Sequence, residues 1–400
     1  MAWRTHPTKG PLNGVKIIDV STVVFGPFAT QIFGDLGADV IKIEYGRGDI
    51  MRQAGKSPVD GLGPIYLNIN RNKRSLKLDL SKAQAKSALN RLIADADVFF
   101  HNVREAGIAR LGYDYEAVSA IKSDIVYVHC CGFGKGGVYE GRQAYDDLVQ
   151  AASGVAGLMP LSDGSPPRYL PTLLMDKTAA LYSAYATIAA LYHRERTGEG
   201  QFVETPMFEA GAHFNMVENL YGQTFEPPLG TVAYSRSINA RRKPYKTIDG
   251  YVAILPYRDS EWEVFFRLGG REGVFQDERF STYRKRTEHI EALYAIIEEV
   301  ALTKTTDEWL RVLEAENIPA MRYNPMGEVI DDPHLNAVDF FQLRDHPDAG
   351  RYHSIRHPVQ FSKTPAETRF DARSVGADTS DILSELGFDD DEIAAITAED

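Results

Sequence analysis

The first 130 residues alternate short β-rich runs with helical ones, and that alternation limits the fold more than any other feature. VKIIDV (15–20) reads as a strand, STVVFGP (21–27) as a loop, and FATQIFGDLG as a helix ending at Gly37, where a helix terminus favours glycine. DVIKIE (39–44) is a second strand. A strand–helix–strand unit closes as a parallel pair with a right-handed crossover. LKLDL (76–80), a helix over 82–94 and DVFFHN (97–102) repeat the unit, and IVYVHCC (125–131) adds another strand. The expectation is an open α/β domain, with ligands at the carboxyl ends of its strands.

Further along, LLMDKTAALYSAY (173–185) opens a long, largely apolar helix in which Leu181, Ala184, Ile188 and Leu191 share a face. TGEGQ (197–201) is a turn and QFVETPM (201–207) a strand. From about 225 the chain becomes rich in proline, glycine and basic residues, as a crossing linker is. A strand at 251–257, helices near 260–268, 287–301 and 305–316, and a strand at 318–323 then suggest a smaller α/β domain. Thr305 with Glu308 three residues on predicts a capping box. The tail holds a β-like stretch near 352–361 and a helix in TSDILSELGF, and DDDE (389–392) starts a last helical turn.

Composition narrows the function classes. Net charge is −12, from 44 basic and 56 acidic side chains, which disfavours nucleic acid and anionic membranes as partners. Cys130 and Cys131, the only cysteines, are adjacent and cannot staple distant segments, which points to a reducing compartment. No apolar run suits a signal peptide or the ~20 residues of a membrane span. The expected location is the cytoplasm.

Four motifs carry possible chemistry. GFGKGG (132–137) has the glycines of a dinucleotide fingerprint, but VYEGRQ follows where a helix must begin, so a loop over an active site fits better than a nicotinamide site. Gly26 and Pro27 stand where a strand turns into a helix whose N–H groups can meet a ligand. Arg71, Lys73 and Arg74 form either a solvated face or a phosphate contact, and Arg104 and Arg110 allow the same choice. Asp176, at the start of the long helix, is either an N-cap or a nucleophile that attacks an activated acyl carbon. In the second role helix N–H groups would orient it and keep it ionised. Spacing alone does not choose between the two.

Taken together, PLNGVKIIDVSTVVFGPFATQIFGDLGADVIKIE, NKRSLKLDL, DVFFHNVREAGIARLGYDYE, the Asp176 segment with ALYHRERTGEGQFVETPMFEA, IPAMRYNPMGEVIDDPHL and GADTSDILSELGF resemble the family III CoA-transferases, also called the CaiB/BaiF or formyl-CoA transferase family. The resemblance spans nearly the whole chain. It implies a Rossmann-like large domain built from both chain ends (1–225 and 331–400), a smaller α/β domain with linkers at 226–330, and an intertwined homodimer. It places the nucleophile on Asp176. Adenine and pantetheine contacts fall on Val23, Val24, Phe25, Tyr45, Leu78, Asn102 and Val103, and a phosphate contact on Arg110.

The implied activity is acyl-CoA:carboxylate CoA transfer through a mixed aspartyl anhydride and an aspartyl-CoA thioester. Coenzyme A enters as the acyl-CoA substrate, and no metal or ATP is expected. Lys177, Tyr139, Tyr145 and Arg142 are candidates for an acyl pocket suited to a small polar or dicarboxylic acid, or merely bond the loops. The main alternative is an α-methylacyl-CoA racemase of the same superfamily. Its catalytic histidine would fall where this chain has Tyr145, a poor base near neutral pH with an ordinary pKa of ~10. A non-catalytic CoA-binding protein is the other alternative.

Overall fold

A computed structural model describes residues 3–398. The chain divides into two compact units. One takes the chain up to Ser153, Leu170–Phe214 and the segment from His334 onward; the other takes Gly154–Tyr169 and Asn215–Pro333.

A six-stranded sheet organises the first unit: β1 (Lys16–Val20), β2 (Asp39–Glu44), β3 (Lys73–Lys77), β4 (Val98–His101), β5 (Val126–Cys131) and β6 (Gln201–Pro206). The order is β3-β2-β1-β4-β5-β6 and every pairing is parallel. β1 pairs with β2 on one side and β4 on the other, so the direction of winding reverses there. Such a reversal opens a crevice at the carboxyl ends of the two strands. Helices of this unit are α1 (Phe25–Asp35), α2 (Pro64–Ile69), α3 (Ala83–Asp95), α4 (Glu105–Leu111), α5 (Tyr115–Ile121), α6 (Asp146–Ala152) and α8 (Leu174–Thr197), with α9 (Met207–Asn219) beginning in it.

Side-chain alternation lets the sheet bury both faces. Phe99 joins Ile18, Ile41, Leu76, Leu89 and Leu92 in the core beneath α3. Phe100, the next residue, turns to the other face and meets Phe33 of α1 edge-on, with ring centroids 6.1 Å apart. There α1 packs against α8. The buried side of α8 is made of small residues, Ala180, Ser183, Ala184 and Thr187. Leu181, expected on the buried face, is 54% exposed. It lies with Tyr185 and Tyr192 on an outward stripe, because the close approach of α1 leaves room only for small side chains underneath.

The C-terminal part adds α14 (Pro333–Ala337), a hairpin of β10 (Phe341–His346) and β11 (Gly350–Ile355), α15 (Thr379–Glu385) and α16 (Asp390–Thr397). The β-like stretch near 352–361 is a strand only as far as Ile355, where it forms the second arm of the hairpin; residues 356–361 are not strand. Asp389 and Glu392 form a capping box on α16. α15 docks beside β3: Asp378 accepts the Ser75 amide at 2.8 Å, and Glu385 holds Arg74 at 2.9 Å.

The second unit holds α7 (Leu158–Asp163), a small sheet of β7 (Tyr245–Lys246), β8 (Tyr251–Ile254) and β9 (Ala320–Arg322), and α10 (Asp259–Leu268), α11 (Tyr283–Glu288), α12 (Ile290–Ala301) and α13 (Thr306–Ala315). Thr305 and Glu308 form the expected capping box. The single helix expected over 287–301 is two, separated at His289. Trp262, Phe265, Leu293, Ile297 and Trp309 make its core. Among the described residues no helix is long and apolar enough to cross a membrane.

One expectation about charge is overturned. β3 begins at Lys73, three residues before the expected LKLDL strand, so the basic run is neither a solvated face nor a phosphate contact. Arg71 is buried on Asp35, Lys73 on Asp19 at 3.1 Å, and Arg74 on Glu385. Lys42 meets Asp49 at 3.2 Å, and Arg52 donates to Glu44 at 2.8 Å through Nε. Buried charges persist where each has a partner and its remaining donors are bonded.

Candidate active site

A cavity of about 280 Å³ opens at the carboxyl edge of the sheet. Thr22, Val23 and Phe25 follow β1; Asn102 follows β4; His129–Phe133 end β5; Glu204 comes from β6; and residues 140–145 close one side. Asp176 lies in its wall.

Backbone geometry shapes the crevice. Val23 adopts φ 72°, a left-handed conformation rare for a β-branched residue. Its N–H reaches Asp49 Oδ1 at 3.1 Å. Asn102 spans the reversal, accepting the Thr22 amide at 3.0 Å and donating to the Thr22 carbonyl at 2.7 Å. Gly26 is required in the first turn of α1, since a Cβ there would sit 2.3 Å from that of Ser21. Val24 is the N-cap and supplies no side-chain acceptor, so the first amides of α1 are not capped by it.

Asp176 is the third residue of α8, inside the helix rather than before it. It does not cap that helix. Asp146 does, with Oδ2 accepting the amides of Met175 at 2.7 Å and Asp176 at 3.0 Å. Gln150 fixes Asp146 by donating to Oδ1 at 2.6 Å. The Asp176 side chain, 7% exposed, is left for the cavity. Its pKa is pushed up to about 7, first by burial and then by the Asp146 charge, while a hydrogen bond from the Phe25 amide pulls the other way. The expectation that helix amides would simply keep it ionised therefore needs correction: near neutral pH the group is divided between its two protonation states.

The glycine-rich loop after β5 keeps its amides for acidic side chains. Gly134 donates to Glu209 at 2.9 Å, Lys135 to Glu204 at 2.9 Å and Gly136 to Glu140 at 2.7 Å. Amides already held by carboxylates do not cradle a pyrophosphate. Tyr139 stacks the loop together: Phe133 meets it edge-on at 5.4 Å, and the Arg142 guanidinium lies 4.7 Å from its ring centre.

The other sequence-derived candidates are dispersed. Val23, Phe25 and Asn102 line the cavity with Asp176. Val24 is buried at the cap of α1, and Val103 packs on the core. Tyr45, after β2, is 70% exposed, Leu78 is 1% exposed within the core, and Arg110 is exposed in the last turn of α4. Tyr145 and Arg142 border the cavity. Lys177 is exposed and donates to Thr172 Oγ1 at 2.6 Å, outside the lining. Arg104, weighed as a phosphate contact, lines the cavity.

The structure adds His129, Cys131 and Glu204 to the cavity, together with Lys135 from the glycine-rich loop expected to lie over an active site. The signal for the first three was alternation along β5 and β6, which required knowing that those strands pair. His129 stacks on His101 with centroids 4.6 Å apart, and burial holds both imidazoles below their ordinary pKa.

The family model described as CoA-transferase family III matches residues 12–379. The succinate–glutarate CoA-transferase of Agrobacterium fabrum is 29% identical over 389 residues, covering 94% of this chain and 96% of its own. The formyl-CoA:oxalate CoA-transferase of Escherichia coli O157:H7 is 30% identical over 409 residues, covering 96% and 98%. The crystal structure of a CAIB/BAIF family protein from Brucella suis superposes with a TM-score of 0.77 at 29% identity, covering 95% of this chain and 100% of that one. With matches that run almost end to end in sequence and in structure, the chain belongs to CoA-transferase family III and is a CoA-transferase.

Proposed function

We propose that Asp176 is the nucleophile of an acyl-CoA:carboxylate CoA transfer. One observation carries this reading: Asp146 takes over the capping of α8, so a buried carboxylate whose pKa no cation lowers, among the described residues, is left lining a cavity at the sheet reversal. Burying a carboxylate without a cation costs stability, and such uncompensated groups concentrate at functional sites.

The steps follow from carboxylate chemistry. An Asp176 oxygen attacks the thioester carbonyl, the C–S bond breaks, and CoA leaves as thiolate with a mixed anhydride on the enzyme. The thiolate attacks the aspartyl carbonyl and releases the donor's acid, leaving an aspartyl-CoA thioester. The acceptor carboxylate attacks that thioester, and the returning thiolate takes the acceptor's acyl carbon and frees Asp176. Each step exchanges one acyl bond for another, so the balance requires neither ATP nor metal. The Phe25 amide, which lowers the Asp176 pKa, would help to stabilise the oxyanion formed when the aspartyl carbonyl is attacked.

CoA would extend along the carboxyl edge past Val23, Val24, Phe25, Asn102 and Val103, with Tyr45 and Arg110 outside the cavity for the nucleotide end. Leu78, buried by its side chain, would contribute main chain only. Arg104, Lys135 and Arg142 give the cavity cationic groups, which suits a dicarboxylic acceptor. The names of the A. fabrum and E. coli relatives also specify dicarboxylates. The racemase alternative lacks its histidine, since Tyr145 stands there and is 61% exposed.

We also infer the intertwined homodimer and cytoplasmic residence. The exposed stripe of Leu181, Tyr185 and Tyr192 on α8 supports a second copy as its cover, and both cysteines are free thiols. Asp176→Ala should abolish transfer while leaving CoA binding in place, and hydroxylamine should trap an acyl adduct on wild-type Asp176 alone. Substantial turnover by the variant would overturn the assignment. Sedimentation should give a dimer mass, and a monomer at micromolar concentration would overturn that part.

A further inference from the structure

The wall of the cavity formed by β5 and β6 carries three donor side chains of different hardness. His129 and Cys131 are two apart on β5 and so project from the same face of the sheet. Glu204 is the register partner of His129 on β6. One donor atom from each, an imidazole nitrogen, a sulfur and a carboxylate oxygen, lies within 4.8 Å of the others. All three line the same cavity as Asp176, and none forms an ion pair among the described residues.

We infer that His129, Cys131 and Glu204 form a binding site for a divalent transition metal of the zinc class, and that metal there obstructs the acyl cavity. Tetrahedral bonds of ~2.0–2.3 Å set ligand-to-ligand separations of roughly 3.3–3.8 Å, so the triad closes with an inward shift of about 1 Å. The donors are already oriented. His101 stacks on His129 with ring planes 11° apart, and the Lys135 amide anchors one Glu204 oxygen at 2.9 Å. A mixed N, S, O set selects zinc, cobalt or copper over magnesium or calcium, which prefer oxygen alone. Binding breaks the Cys131 S–H bond, forms a metal–sulfur bond and releases one proton to solvent. Three protein ligands leave a fourth position facing the cavity, where a thiolate or carboxylate of the substrate would be captured unproductively.

Cobalt titration of the whole chain, reduced and free of CoA, tests the site apart from the transferase mechanism. One equivalent should bind per chain, with the near-ultraviolet band of a thiolate–cobalt bond, and Zn²⁺ should displace it. Cys131→Ser should remove the band, whereas Cys130→Ser, at a thiol buried against Ser183, should keep it. Glu204→Gln should weaken cobalt binding at least ~tenfold. No band in folded wild-type protein, or one that survives Cys131→Ser, overturns the site. Should Cys131→Ser fail to fold, unchanged affinity in Glu204→Gln overturns it. The obstruction, which rests on the proposed mechanism, is read separately: Zn²⁺ should raise KM for acyl-CoA and a chelator should restore it. Tight binding without inhibition overturns the obstruction and leaves the site standing.

Discussion

Two buried aspartates of the same unit, Asp19 on β1 and Asp176 on α8, are treated in opposite ways. Asp19, on β1, is fully buried with the Lys73 ammonium 3.1 Å away, Thr30 donating at 2.7 Å and Ser21 bonded closely. Burial alone would raise its pKa, but Lys73 and Lys42 overcome that and hold it down at about 2. Asp176 is nearly as buried, yet its charged neighbour is another carboxylate, and its pKa is driven up to about 7. The same side chain in the same kind of burial is thus held ionised where cations surround it and pushed toward its protonated form where they do not, which is the contrast the proposed role of Asp176 draws on.

That contrast can be broken from either end. Asp176→Asn should lose transfer by ~10³-fold or more, a loss typical of removing a catalytic nucleophile. Yet it should also make the protein more stable at pH 8. Between pH 3.8 and about 7 native Asp176 keeps a proton that the unfolded chain has released, so stability falls as pH rises through that window. The amide removes this penalty, by about 2–4 kcal/mol at most. Urea unfolding at pH 8 measures it, and a destabilised variant would mean Asp176 is an ordinary structural acid.

Asp19→Asn should do the reverse, destabilising by roughly 3–5 kcal/mol because Lys73 and Lys42 lose their shared partner. Urea unfolding again reads the change, and an effect below ~1 kcal/mol would erase the distinction between the two sites.

Smaller effects sharpen the comparison. The rate of transfer should rise about tenfold between pH 6 and pH 8 as Asp176 ionises through its raised pKa. Asp146→Asn keeps an acceptor for the α8 amides but removes the like charge, so the acid limb should move to lower pH; a limb that stays put would assign it to another group. Arg142→Ala should raise KM for a dicarboxylic acceptor several-fold, on the order of 1 kcal/mol, with little change for a monocarboxylate. Equal effects on both acids would make Arg142 a loop strut on Tyr139 rather than a substrate contact.

The sheet was legible because helix and strand periods differ and Gly37, Gly198 and similar stops mark the junctions. Asp176 was legible as a candidate but not as a choice, because the residue that frees it, Asp146, lies 30 positions away. The basic run at Arg71–Arg74 was misread for a related reason. Its partners, Asp35, Asp19 and Glu385, are distant in sequence, and a charge whose partner is remote looks solvated. His129, Cys131 and Glu204 became a group only once β5 and β6 were in register. Local periodicity reports local structure, whereas charge pairing and site assembly are long-range.

Arg74 and Glu385 are separated by 311 positions. At ribosomal rates of ~5–20 residues per second, β3 must wait roughly 15–60 s for α15 to be made. During that interval the nascent sheet carries an unneutralised guanidinium and the unpaired amide of Ser75 along its open edge. The edge of the sheet at β3 therefore reaches its final form only once the last segment of the chain has been made, so the C-terminal residues set when this unit can close.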